Sequence, residues 1–406
     1  VYQHAPTPHA PGIYRHRTYF AELVRRGWHV DLIATPINYM TGEVPRSYER
    51  RPYVHEELDG IDMHWVWASR KIHTSVRHRA ANYATFFLTA LGRAATLPRP
   101  DVLLVSSPPL PVAVLGPMLS RRFRGTPWLL EVRDIWPESA VSVGWLDEGS
   151  ATYRALSRIA RSATHRANAV IVPTPGLVDR VREHGATAIE VITGPVGNEA
   201  RTPETRMRVR ESLAVPSDHC LFLYLGALGV ANGIDTLLDA VAGLPAATPA
   251  TFLVVGDGSG RREIEARIAQ EERLRRVRAL DPVPKNEVFD LLAASDVCLH
   301  LLRPDPVFET ALPSKVLDYF SAHRPFITTA PGLPAKLASE SGGSYAANAD
   351  ELTAAIEHWA SRTPVEWAQA CEQSYAYGAA RFGIEENVDR LERLLYTTMS
   401  GSGSSD

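Results

Sequence analysis

VYQHAPTPHAPGIYRHRTYFAELVRRGWHVDLIAT, residues 1–35, is the stretch whose reading decides the fold. Residues 1–4 read as the end of a strand. Residues 5–12, APTPHAPG, form a Pro/Gly/His loop. Residues 14–26 have helical spacing, and Gly27 stands where a helix-ending glycine belongs. Residues 29–35, HVDLIAT, make the next strand. A strand, a glycine-containing loop, a helix and a strand, in that order, open a doubly wound sheet.

The alternation continues outward from there. Residues 61–67 read as a strand, 77–97 as a long helix, and 101–106, DVLLVS, as a buried strand. Residues 128–132 form a strand that runs into Arg133 and Asp134. A helix over 150–166, a strand over 169–173 and a strand over 189–193 complete this half. Residues 194–205, GPVGNEARTPET, lack periodicity and read as a hinge. The same grammar then restarts: strand 221–226, helix 234–244, strand 252–256, helix 261–273, helix 288–294 and strand 296–301. The expected architecture is α/β, two Rossmann-like βαβ domains in tandem. The expected bounds are 1–197 and 198–380. A closing helix, 381–399, is expected to pack back on the first domain, and 400–406, SGSGSSD, to be a flexible tail.

The bulk numbers agree with two domains. The chain has 406 residues, more than one ordinary core supports. Its 45% hydrophobic and 22% charged content is that of a soluble globular protein. A net charge of −3 offers nothing to nucleic acid. Cys220, Cys298 and Cys371 have neither disulfide-like nor ligand-like spacing, which suits a reduced, cytoplasmic setting. No apolar run is long enough to cross a bilayer.

The stretch most suggestive of chemistry is RPDPVFETALPSKVLDYFSAHRPFI, residues 303–327. Pro313 and Ser314 open a short helix with Ser314 as its expected N-cap. Lys315 and Asp318 share a face near its start, where free N–H groups favour a phosphate. One side chain suits a phosphate and the other a ribose diol. An ordinary helix bearing an exposed ion pair fits the same residues.

Four segments in order carry a family resemblance: EVRDIWPES at 131–139, YLGALG at 224–229 with Gly233-Ile234-Asp235, VVGDG at 254–258, and LPSK at 312–315 with Asp318-Tyr319. The chain resembles the GT-B glycosyltransferases, specifically the retaining family 4 and its O-antigen L-fucosamine transferase subgroup. The resemblance implies that the two domains face each other across a cleft. It implies a nucleoside diphosphate sugar held by the second domain, an acceptor on the first, and no metal or other cofactor. The acceptor would be a saccharide, a lipid-linked saccharide or a small-molecule glycoside.

The same resemblance distributes roles over residues. Gly12 meets the donor phosphate from the first domain. Gly226, Ala227 and Gly229 let backbone N–H groups approach the diphosphate. Gly256 and Gly258 approach the base or sugar, and Val283 pairs with the base. The family's diphosphate-clamping Arg and Lys are replaced here by Ala227 and Asn232, which leaves Lys315 as the principal cation. Asp318 matches the second acid of the family's Glu-(seven residues)-Glu pattern. Thr310 falls where the first acid belongs, with Glu309 beside it. Either Glu309 substitutes or the backbone of Glu309, Thr310, Ala311 and Leu312 binds the sugar; Phe308 lines its pocket. Ser314 belongs to the same donor segment. Arg133 and Asp134 are expected to act with Lys315 in catalysis, and His9, His16, Trp136 and Glu138 to shape the acceptor site.

Arg70 to Arg79, RKIHTSVRHR, reads as a solvated helix start or as a basic surface for peripheral contact with a membrane. Three other readings stay open. They are an inverting transferase using His9 or His16 backed by Asp134, a sugar-nucleotide 2-epimerase, and a non-catalytic binding partner. A nicotinamide dehydrogenase is disfavoured because no G-x-G-x-x-G follows the first strand.

Overall fold

The computed structural model describes residues 1–8, 15–39, 42–70, 72, 75–142, 146–304 and 309–401, without the side chains of 142, 230, 285 and 286. Two compact units result, Val1–Thr193 with Ile384–Asp406, and Gly194–Gly383. His9, Gly12 and Phe308 lie outside the described residues, as do Lys71, His73 and Thr74 of the basic run.

In the first unit, β1 (Asp31–Ala34), β2 (Tyr53–Leu58) and β3 (Ile61–Val66) form one sheet in the order β1-β3-β2. The strands β4 (Leu103–Ser107), β5 (Trp128–Val132), β6 (Ala169–Val172) and β7 (Ile189–Val191) form another in chain order. Residues 1–3 join them. Tyr2 N donates to Ile33 O and Thr35 N to Gln3 O on one side, and Ser106 N donates to Val1 O on the other. The expected first strand is therefore a paired run within one continuous sheet. Apolar strand residues point to both faces and are covered on both. Phe86 and Leu119 lie in one core cluster, and Tyr19, Leu391 and Leu395 in the other.

The helix Ile384–Gly401 belongs to this unit. It buries Val388, Leu391 and Leu395. Asn387 Oδ1 accepts from Thr193 N at 3.0 Å, and Glu392 accepts from Trp28 Nε1 at 2.8 Å. The return of the last helix to the first domain follows from that apolar face. The tail begins later than expected, since Ser400 and Gly401 are helical.

The second unit is a six-stranded, fully parallel sheet. Its strands are β8 (Cys220–Leu225), β9 (Ala250–Val255), β10 (Val277–Leu280), β11 (Val297–His300), β12 (Phe326–Thr328) and β13 (Ser344–Tyr345). Their order, β10-β9-β8-β11-β12-β13, is that of a Rossmann sheet. β9 and β11 are buried end to end and β8 over all but its terminal residues, and Phe222 stacks on Phe252 at 5.0 Å.

Several expectations need adjusting. The segment 36–59, to which no strand was assigned above, contains β2, antiparallel to β3 through a tight turn with Asp59 and Gly60 both at positive φ. The hinge stretch 194–205 includes the start of the helix Pro203–Ser212, capped by Thr202. Ser314 is not an N-cap. Pro313 holds that position without a side-chain bond, and Ser314 is the first residue of the helix Ser314–Ser321.

Candidate functional site

In the second unit, strand order reverses between β8 and β11, and ligands bind at such a crevice beyond the strands' carboxyl ends. Gly226 follows β8 there and His300 ends β11. Lys315 reaches Gly226 from the helix Ser314–Ser321. A Cβ on Gly226, whose φ is +149°, would lie 1.9 Å from Lys315 Nζ. The ammonium also lies 4.5 Å from the Tyr224 ring centroid and donates to the Tyr224 hydroxyl at 3.3 Å. Tyr224 in turn donates to Ala227 O at 2.7 Å. Burial pushes the Lys315 ammonium down to about 8. Burial, with the Lys315 charge second, pushes His300 down to about 3. A cation held in partial desolvation, against a backbone with no side chain, is arranged to meet an anion.

The glycine loops have a second role. Gly226 N donates to Val255 O, Leu228 N to Asp257 O and Gly260 N to Leu228 O, at 2.8–2.9 Å. A Cβ on Gly256 would meet Gly226 O at 1.8 Å, and one on Gly258 would meet Leu228 backbone at 2.7 Å. The two loops pack backbone to backbone, which itself demands the glycines. Gly229 N is taken by Asn232 Oδ1 at 3.2 Å, so Asn232 closes the turn that precedes the helix Ile234–Gly243.

The remaining donor candidates are spread along this unit. Ser314, Glu309 and Thr310 are exposed, and Ala311, Leu312, Val283 and Asp318 are partly buried. The Glu309 backbone packs on Gly332, where a Cβ would lie 2.3 Å from Glu309 O. Arg303 pairs with Asp235 at 3.0 Å. Cavities of about 830 and 540 Å³ lie instead at the amino ends of β8 and β9. Their arginines are largely committed: Arg206 and Arg210 bind Asp296, and Arg273 donates to Ala242 O.

In the first unit, β5 ends at a buried hub. Glu131 accepts from Arg15 at 2.7 Å, His16 at 2.5 Å and the Ser106 hydroxyl at 2.5 Å. Burial raises the Glu131 carboxyl, but the His16 and Arg15 partners outweigh it and hold it well below the usual range. Burial pushes His16 down, more than Glu131 raises it. His16 Nε2 thus donates to Glu131 and is committed to it, with the ring 4.0 Å from that of Tyr2. Arg133 stacks over Tyr2 at 4.8 Å and donates to Pro108 O at 2.6 Å. Asp134 is exposed. Trp136 packs on the core and Glu138 lies 3.5 Å from His184, which gives both residues structural contacts. Glu131 was legible as a motif letter only. The available signal was a carboxylate inside the apolar strand WLLEV, because a buried charge requires partners.

Comparison with known proteins supplies the family. Residues 14–197 match the glycosyl transferase 4-like domain, and residues 219–362 match glycosyl transferases group 1. The chain is 28% identical over 251 residues to a probable glycosyltransferase, WbjE, of Pseudomonas aeruginosa, covering 59% of this chain and 60% of that one. It is 23% identical over 337 residues to the putative colanic acid biosynthesis glycosyl transferase WcaI of Escherichia coli K12, covering 80% and 81%. Among solved structures, Anabaena Alr3699/HepE in complex with UDP superposes with a TM-score of 0.68 at 16% identity, over 98% of this chain and 99% of that one. Sucrose-phosphate synthase of Thermosynechococcus elongatus superposes with a TM-score of 0.70 at 17% identity, over 98% and 96%. With one domain match in each unit and Rossmann-like sheets in both, mainly parallel in the first and fully parallel in the second, the chain belongs to the glycosyltransferases of GT-B fold.

Proposed function

We propose that this enzyme transfers a sugar from a nucleoside diphosphate sugar, a UDP-sugar first among them, to an acceptor hydroxyl, with retention at the anomeric carbon and without a bound metal. The observation that carries the reading is Lys315, held against Gly226 where the strand order of the second unit reverses. A cation there meets a leaving diphosphate and stabilises the charge that develops as the glycosidic bond breaks. UDP is favoured because fold neighbours have been solved with UDP and with UDP-glucose.

The anomeric carbon parts from the diphosphate oxygen and bonds to the acceptor oxygen on the same face. The acceptor's proton passes to the leaving phosphate oxygen. Lys315 serves the diphosphate, Asp318 the ribose, and the Glu309 to Leu312 backbone the transferred sugar. The first unit, through Arg133 and Asp134, serves the acceptor. Retention is taken from the resemblance to family 4, as is the O-antigen fucosamine subgroup as a guide to substrate. The commitment of His16 to Glu131 weighs against His16 as the base of an inverting enzyme. Peripheral membrane contact through Arg70 to Arg79 would rest on exposed residues such as Arg77 and His78, since Ile72 is buried.

The test is transfer from UDP-sugars to an acceptor panel in EDTA, with NMR of the product's anomeric configuration. An inverted product, or a rate abolished by EDTA and restored by a divalent cation, refutes the corresponding part. Lys315→Ala should reduce turnover at least 100-fold with an unchanged melting temperature; full activity would remove Lys315 from the site.

A further inference from the structure

The crevice of the first unit has an occupant that none of the roles above uses. Residues 1–3 lie between β1 and β4. The chain leaves them toward β1 first and reaches β4 only later, so strand order reverses beside His4. This is where an open α/β sheet binds ligands. His4 Nδ1 and Nε2 are both buried and have no hydrogen-bond partner among the described residues. Arg133 Nε, just past the end of β5, likewise has no hydrogen-bond partner among the described residues, although it lies 4.0 Å from Glu131 Oε2. Proteins pair nearly all such buried atoms, so unpaired ones gathered at a strand-end crevice call for a ligand or water that pairs them.

The chemistry of the missing partner follows from the groups. Burial first, and the Arg133 charge second, push His4 down to about 3. The ring is therefore uncharged at neutral pH, with one N–H to donate and one lone pair to accept. A hydroxyl group complements that pair, because it also donates once and accepts. A dianionic phosphate does not, since the lone pair would face it. Tyr39, whose ring lies 4.8 Å from His4, offers an apolar face of the kind that packs on a sugar ring.

We infer that His4, with Arg133 beside it, is a binding subsite for a sugar hydroxyl of the acceptor; this deepens the transferase reading and rests on it. His4 binds and orients that hydroxyl. So weakly basic a ring does not take its proton.

Saturation-transfer NMR on the full chain decides it, with UDP and a panel of methyl glycosides of common hexoses and N-acetylhexosamines as probes. The wild type should show saturation of at least one glycoside and of UDP. His4→Leu should lose the glycoside signal at least tenfold and keep the UDP signal and the melting temperature. His4→Asn, which retains a donor and an acceptor, should recover part of it. Glycoside signals equal in wild type and His4→Leu, or absent in both across the panel, overturn the subsite. Absence of UDP saturation in the wild type is a failure of the donor reading instead, and the glycoside comparison still decides His4. If His4→Leu melts below the assay temperature, His4→Phe and His4→Asn carry the comparison: loss in Phe with recovery in Asn supports the subsite, and equal signals refute it.

Discussion

Lys315 carries its ammonium where charge is disfavoured. Burial pushes it down to about 8, from an ordinary value near ~10.4. A bound diphosphate favours the charged form and raises it again. Binding therefore takes up a proton above the free value, and affinity falls as pH rises. UDP affinity is expected to be level below about pH 7 and to drop by up to about tenfold per pH unit above pH 8. Calorimetric titration in buffers of different ionisation enthalpy measures both the drop and the proton; a level profile to pH 9.5 would contradict the assignment. The same lysine makes Gly226 critical. A methyl at 226 would lie 1.9 Å from Nζ, so Gly226→Ala displaces the ammonium and should weaken UDP binding on the order of 10- to 100-fold, the loss of one charge-assisted bond. An unaltered dissociation constant would show that Lys315 does not meet the ligand. Lys315 and the glycines stood out in the sequence through their place after strands and at a helix start. The reason for Gly256 and Gly258 did not, because their neighbours are Gly226 and Leu228, a strand and a helix earlier in the chain.

At the scale of elements, what the sequence disclosed follows burial. Strands such as β5 and β9 are apolar at nearly every position and were legible at once. β2 was not, since YVHEEL carries two glutamates and a histidine and no position of it is buried. The helices Leu110–Ala113 and Leu115–Arg122 received no assignment, because Pro108, Pro109, Pro111, Gly116 and Pro117 interrupt the helical pattern. The Glu131 hub was equally hidden, because it ties the helix Arg15–Arg25 to β4 and β5 across more than 100 residues of chain. Its energetics are nonetheless specific. Removing the carboxylate leaves the Arg15 charge buried and unpaired, so Glu131→Ala should cost about 3–5 kcal/mol. The carboxyl is depressed in the folded state, so its stabilisation is present above the unfolded value, near ~4.3, and is lost as pH falls through the folded one. Glu131→Gln should therefore flatten the acid limb of the denaturation profile. Urea melts at pH 7 and pH 4 measure both; a wild-type acid limb in the Gln variant would mean that Glu131 is not ionised in the fold.

At the scale of the whole molecule, the first unit is discontinuous in sequence. It is built from Val1–Thr193 and Ile384–Asp406, with the second unit, Gly194–Gly383, running between. Alternation of strands and helices revealed two domains, and the apolar face of the last helix revealed where it returns. The consequence is an asymmetry in how the units depend on the chain. The second unit holds all its strands between residues 220 and 345. The first draws Val388, Leu391 and Leu395, buried beside Tyr19 and Leu23, from the last helix. Losing three such side chains costs about 2–5 kcal/mol each, comparable with the ~5–15 kcal/mol that holds a whole domain together. A chain stopped after Gly383 is therefore expected to lose or sharply lower the first unit's melting transition. The second unit's transition should stay near its place and still rise when UDP is added, since ligand binding stabilises only the unit that binds it. Differential scanning calorimetry with and without UDP separates the two. If the shortened chain kept both transitions, the helix would be an accessory to the first unit; if UDP shifted the transition that the truncation lowers, the donor site would lie in the first unit, against the assignment of Lys315.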